Sequence, residues 1–113
     1  MIRAARGEVW LVDFGDPVGH EQGYRRPAVI VSADHLNRSR AGLVIVVPMT
    51  RTRRGIASHV ELEPGGSGLA ETSYAKAEDV KSVSVQRLVK RYGTAPPGTL
   101  QQIERVLSLL LEL

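Results

Sequence analysis

The sequence predicts a mainly β (α+β) domain: five or six short strands in a small, strongly bent sheet or barrel, with one C-terminal helix covering a side of it. Three observations predict it. Short β-branched runs recur, as in Ala28-Val29-Ile30-Val31 and in "LVIVVP" at 43–48. Glycines punctuate the gaps at Gly42, Gly55, Gly65, Gly66, Gly68 and Gly93. The period changes at the end, where Leu100, Ile103, Leu107, Leu110 and Leu111 recur at spacings that line one face of a helix.

Taken in order, "GEVWLVDF" at 7–14 is apolar enough for a largely buried first strand. The second runs over 27–33, with Pro27 at its first position, where no interior ladder bond is lost. The third, 43–48, is the most buried by composition. "SHVEL" at 58–62 alternates, as a half-buried strand does, and "SYAKA" at 73–77 alternates polar with small groups. A last short strand spans 88–92. Pro96-Pro97-Gly98 ends it, and Thr99 is a candidate N-cap for the helix that follows. Leu109 and Leu113 fall off the main helical face and are free to meet a partner, which predicts a two-fold dimer.

A chain of 113 residues suits one compact domain, 1–113. Fifteen Lys and Arg against twelve Asp and Glu give a mild net charge of +3, which permits an anionic partner without demanding one. With no cysteine, disulfides and thiolate metal sites are excluded. His20, His35 and His59 lack metal-ligand spacing, so no metal or cofactor is expected. No apolar run approaches the roughly 20 residues of a membrane span, and the first residues lack an apolar signal core. A soluble cytoplasmic protein is the expectation.

One connection is too long. About a dozen residues, 15–26, separate the first two strands, where hairpin loops commonly have two to five. They carry His20, Glu21, Gln22, Tyr24, Arg25 and Arg26. Arg26 precedes proline, so its backbone is pushed toward the extended region and leaves the strand in a defined direction. Arg25 and Arg26 suit a phosphate site, or simply solvated charges flanking a strand. A second cluster, "PMTRTRRG" at 48–55, brings Thr50 and Thr52 together with Arg51, Arg53 and Arg54. Arginine binds phosphate bidentately and stacks on bases, so such a loop suits a nucleic-acid backbone. It equally suits a soluble turn at a sheet edge. A third cluster, Lys76, Glu78, Asp79 and Lys81, mixes signs and reads most simply as a solvated edge.

The stretches "RGEVWLVDFG", "GHEQGYRRPAVIVS", "VVPMTR", "KAEDVKSVS" and "RLVKRYGTAPPGTLQQIERVLSLLLEL" together resemble the MazF/PemK (Kid-like) toxins of bacterial toxin–antitoxin systems, over nearly the whole chain and in the family's order. The resemblance implies a small SH3-like β-barrel of five to seven strands with a C-terminal helix, working as a homodimer. It implies a metal-independent, sequence-specific endoribonuclease that cuts single-stranded RNA, and a cognate MazE-like antitoxin with an acidic C-terminal segment. The arginine before proline matches Arg26 and the threonine after the third strand matches Thr50, the family's usual catalytic pair. Glu21 matches the acid of the first loop. Glu78 and Lys76 match positions that some members use on substrate, whereas Asp79 departs from a glutamine found in relatives.

The chemistry fits these residue types. RNA is cut without metal when its own 2′-OH attacks the adjacent phosphate. That requires a base, stabilisation of the phosphoryl oxygens and protonation of the leaving 5′ oxygen, and it leaves a 2′,3′-cyclic phosphate and a 5′-hydroxyl. Arg26 offers a planar fork and Thr50 a hydroxyl donor. Glu21 is a candidate base, with His20 as an alternative. His20, Gln22, Arg25, Arg51, Arg53, Arg54, Lys76 and Glu78 are candidates for holding substrate. A CcdB-like gyrase poison and an inactive RNA-binding relative share the fold class, but the CcdB toxins lack the arginine–threonine pairing.

Overall fold

A computed structural model of the protein describes residues 3–15 and 24–113. Seven strands form one antiparallel sheet: β1 (Glu8–Asp13), β2 (Arg25–Ile30), β3 (Leu43–Thr50), β4 (His59–Leu62), β5 (Ser73–Lys76), β6 (Lys81–Ser84) and β7 (Leu88–Thr94). Two helices, α1 (Asp34–Asn37) and α2 (Pro97–Leu111), complete the domain. The strand path is β4-β5-β3-β2-β1-β7, with β6 beside β3. Seven strands are one more than the runs predict and within the five to seven that the resemblance implies, but β4 and β7 end the path without pairing to each other, so the sheet is curved and open rather than a closed barrel.

β3 explains the curvature. One of its edges pairs with β2. Its other edge serves two strands in turn, β6 along Leu43–Val46 and then β5 at Met49–Thr50. Because β3 is flanked on both edges and covered on both faces, its apolar residues need not alternate with polar ones, as in a doubly buried strand. Val44, Val46, Val47, Pro48 and Met49 are all buried. The period of two then divides the core. Val9, Val29, Val47, Met49, Val60 and Leu62 lie on one face with Ile103 of α2, while Trp10, Val12, Ala28, Ile30, Val44, Val46 and Leu88 lie on the other.

Three local expectations are corrected. β6 went unforeseen because only Val83 of its four residues is buried, which leaves too little pattern to read. α1 is a single turn, too short for a helical period to show. Helix α2 starts at Pro97 with Pro96 as N-cap and no side-chain cap, so Thr99 lies inside the first turn. Proline suits that first position because its missing N–H would have had no helical partner. Ile103 carries the buried contact and Leu100, Val106 and Leu107 support it, whereas Leu110 and Leu111 are exposed rather than part of the packed stripe.

Glu8 ties the first and last strands together. Its Oε1 accepts from the Ala5 N–H at 2.7 Å and from Trp10 Nε1 at 3.0 Å, and its Oε2 accepts from Arg91 Nε at 2.6 Å. Burial pushes this carboxyl up, but the hydrogen bonds and the Arg91 charge outweigh burial and hold it below its ordinary 4.5. A carboxylate stabilised in the folded state contributes stability above its unfolded pKa and loses it as pH falls. Glu8→Gln is therefore expected to lower Tm near neutral pH, with the gap to the parent closing as pH drops below about 4.5. Thermal melts of both proteins across that range check the sign.

Candidate functional site: an arginine-lined cleft

The prolines of β2 and β3 open the site. The β2–β3 ladder ends at Ala28↔Pro48. Neither Pro48 nor the next residue of β2, Pro27, has an N–H to donate, and past them the two strands no longer pair. Each keeps its outer neighbour: Arg25 and Arg26 pair with Asp13 and Val12 of β1, and Thr50 pairs with Tyr74 of β5. The strand ends thus border a cleft of about 260 Å³ lined by Leu11, Arg25, Arg26, Pro27, Met49, Thr50, Arg51, Leu69, Ala70, Glu71, Ser73 and Tyr92.

The register shows who faces whom. Two residues beyond Ala28↔Pro48 come Arg26 and Thr50, on the same face of their strands as that pair, and both line the cleft. Next come Arg25, turned to the opposite face of β2, and Arg51, which directly follows the end of β3. Both pairs border the cleft, which wraps round the strand ends. At the mouth, Tyr24 has φ +58°, sparsely populated for a non-glycine residue, and this turns the chain directly into Arg25 and Arg26. The Phe14 N–H donates to the Tyr24 carbonyl at 2.7 Å, and the Tyr24 N–H donates to Gly15 O, anchoring that turn.

Within the cleft, Arg51 Nη1 donates to Glu71 Oε2 at 2.7 Å. Thr50 Oγ1 accepts the Thr52 N–H at 3.2 Å, which fixes the hydroxyl oxygen and leaves its own proton to donate. The floor is apolar: Leu11 pairs with Pro27 across β1 and β2, and Met49 and Leu69 line the cleft with them.

Four expected site residues therefore meet here: Arg25, Arg26, Thr50 and Arg51. Others do not. Arg53 and Arg54 are exposed in the following loop, outside the cleft lining. Arg53 lies near Glu61, whose carboxyl is held above its ordinary range by the hydrogen bond and repulsion of Glu63 and only partly relieved by Arg53. Lys76 and Glu78 belong to a separate cluster. Lys76 Nζ sits 3.0 Å from Asp79 Oδ2, and His59 Nε2 sits 2.9 Å from Glu78 Oε2. Glu78 and Asp79 remain partly exposed, as an edge would be, while Lys76 is more covered and His59, which joins them from β4, has a side chain only 3% exposed. Burial raises the Glu78 carboxyl, but hydrogen bonds from His59, Ser58 and its own backbone N–H lower it further, so it is ionised at neutral pH and His59 Nε2 is the donor. His20, Glu21 and Gln22 lie outside the described residues.

Sequence reasoning missed Leu69, Glu71 and Tyr92. The signal was present for Glu71: the alternation of Ser73 and Ala75, carried back two residues, puts it on the cleft face. The glycine-rich stretch 65–68 is a loop, and it is tied to the end of β7. The Thr94 N–H donates to the Gly66 carbonyl at 2.9 Å, and Ser67 is buried. Among the described residues no group of three His, Cys, Asp or Glu is placed to hold a metal ion, and no helix is long and apolar enough to cross a membrane.

A curved open sheet with three guanidinium groups and a hydroxyl round an apolar-floored cleft defines a small α+β domain suited to an extended polyanion. The chain belongs to the family of PemK-like, MazF-like toxins of type II toxin–antitoxin systems, whose model matches residues 5–111. It is 34% identical to the endoribonuclease MazF9 of Mycobacterium tuberculosis over 96% of both chains. Its fold matches the crystal structure of MazF from Deinococcus radiodurans with a TM-score of 0.87, at 27% identity and over 100% of both chains. It also matches an endoribonuclease from a Mycobacterial species in complex with its cognate antitoxin, with a TM-score of 0.81 at 29% identity over 97% of this chain and 96% of that one.

Proposed function

We propose that this protein is the toxin of a type II toxin–antitoxin system and an endoribonuclease that cuts single-stranded RNA by attack of the substrate's own 2′-OH. The observation that carries the reading is that Arg26 and Thr50 line one cleft, at the separated ends of two adjacent strands. A guanidinium fork and a hydroxyl converging from two strands suit the oxygens of one phosphate as extra negative charge develops on them. Arg25 and Arg51 would hold neighbouring phosphates, and the exposed Arg53 and Arg54 those further along the chain. Glu21, in the loop that delivers Arg26, would take the 2′-OH proton, with His20 beside it as the alternative. The names of its relatives, endoribonucleases that it matches over nearly their whole length, point the same way.

Incubation of the purified protein with a long single-stranded RNA in EDTA tests this. Discrete fragments with 2′,3′-cyclic phosphate and 5′-hydroxyl ends are the expected result. A mobility shift without cuts would mean an inactive RNA-binding relative. Inhibition of gyrase supercoiling without cuts would mean a CcdB-like poison.

A cognate antitoxin with an acidic segment would cover the same arginines and exclude RNA, and its binding would weaken with salt. We also propose a homodimer working in the cytoplasm. Leu109 is 74% and Leu113 90% exposed at the end of α2, with Leu110 and Leu111 beside them, an apolar patch of the kind that marks an interface. Light scattering at micromolar concentration should give twice the monomer mass, and Leu109→Glu should shift it toward the monomer.

A further inference from the structure

Glu71 does not fit a cleft built only for phosphate. It is the one acidic side chain lining that cleft among the described residues, and a carboxylate beside Arg25, Arg26 and Arg51 repels the ligand those arginines attract. It is also held in place. The Ser73 hydroxyl donates to its carbonyl at 3.2 Å, and Arg51 Nη1 donates to its Oε2 at 2.7 Å. Among the cleft-lining residues next to it, the half-buried Leu11 and Tyr92 offer an apolar surface and an aromatic ring to something flat, backed by the buried Met49 and Leu69.

We propose that Glu71 reads a nucleobase, and that the base is a guanine in a nucleotide flanking the cut phosphate. This rests on the reading of the cleft as an RNA-cutting site. An ionised carboxylate only accepts hydrogen bonds. Among the four bases, guanine alone presents two adjacent N–H donors, N1–H and N2–H, to a pair of carboxylate oxygens, whereas adenine and cytosine offer one amino group and uracil one imino group. Guanine's O6 lies beside N1, where an Arg51 N–H not engaged with Glu71 can donate to it. The Glu71–Arg51 pair thus matches the donor–donor–acceptor order of guanine's pairing edge. The phosphodiester follows the arginine–threonine rim, and the base turns inward over the apolar floor.

The test has two arms on the full chain. Cleavage ends mapped over a pool of random single-stranded RNA should show guanine at one position next to the cut. An oligonucleotide with inosine there, which lacks only the N2 amino group, should be cut by the parent protein about tenfold more slowly, the discrimination typical of one lost base contact. Glu71→Gln should cut the guanine and inosine oligonucleotides at similar rates. A parent cleavage pattern without a flanking guanine would overturn the proposal. So would a Glu71→Gln protein that is slower on every RNA but keeps the full guanine preference, since Glu71 would then serve only to place Arg51. The inosine arm needs no variant, so a Glu71→Gln protein that failed to fold would leave the proposal decidable. A parent protein that cuts no RNA would overturn the functional reading as well, whereas cutting without guanine preference would overturn this inference alone.

Discussion

Replacing Arg26 with lysine is expected to slow RNA cleavage about a hundredfold or more while leaving RNA binding nearly unchanged. The positive charge stays, so counterion release on binding is preserved, and even a lost phosphate contact would alter the salt slope by only about 0.7 for a single strand. What disappears is the planar fork. A lysine ammonium is a compact point charge and cannot match two phosphoryl oxygens in fixed geometry. Thr50→Val should slow cleavage by a smaller factor, because a neutral hydroxyl donates a weaker hydrogen bond than a guanidinium does. The register supplies a control: Arg25 occupies the next row, on the opposite face, so Arg25→Lys should leave the cutting step far less affected. Single-turnover cleavage of one defined RNA, beside equilibrium binding of its 2′-deoxy analogue, separates the two quantities. Cleavage by Arg26→Lys at the parent rate would show that charge alone suffices at that position.

The largest effect on stability is expected from Gly93→Ala. A methyl at Gly93 would come within 2.2 Å of the Gly66 carbonyl oxygen and 2.6 Å of the Ser67 carbonyl carbon. These are backbone atoms of the segment that hydrogen-bonds Thr94, so no side chain can swing aside to relieve the clash. From the other side, Gly68 has φ +75°, and a methyl there would lie 2.0 Å from the Tyr92 carbonyl oxygen. The two segments interlock through glycines at both contacts. Overpacking of this kind costs about 3 kcal/mol, a large share of the stability of a small domain. The expected fall in Tm is about 10 °C or more. Activity should fall with it even where the variant stays folded, because Leu69 and Tyr92, the neighbours of Gly68 and Gly93, form one wall of the cleft. Thermal melts of Gly93→Ala beside the exposed control Gly98→Ala, which has open space around it and no positive φ, check the size of the effect.

How much of this was legible in the sequence depends on how local the cause is. β1, β2 and β3 are visible because burial on both faces leaves continuous apolar runs, and Arg26 and Thr50 are visible because they stand at the ends of such runs. β6 is invisible because its pairing with β3 specifies it and its own side chains hardly do. His59 and Glu78 are nineteen residues apart and become partners only when β4 and the turn after β5 come together, so their pairing could not be read although Glu78 was singled out. Glu71 was passed over because acid in a basic groove is recognisable as odd only once the groove exists. The backbone contact of the 65–68 loop with β7 was hidden for a related reason: flexibility and tight backbone contact select the same residue, and only the neighbouring strand tells them apart.

The unpaired strand ends have a mechanical consequence. Arg26 rides on a wall stiffened by β1, and Thr50 on a wall stiffened by β5, yet past Ala28↔Pro48 no ladder holds the two walls to each other. Positional accuracy within each wall is inherited from the sheet, whereas across the gap no backbone ladder contributes to it. On the proposed reading, a phosphate gripped from both sides would supply the missing cross-link, and the substrate would be the last structural member of its own cleft.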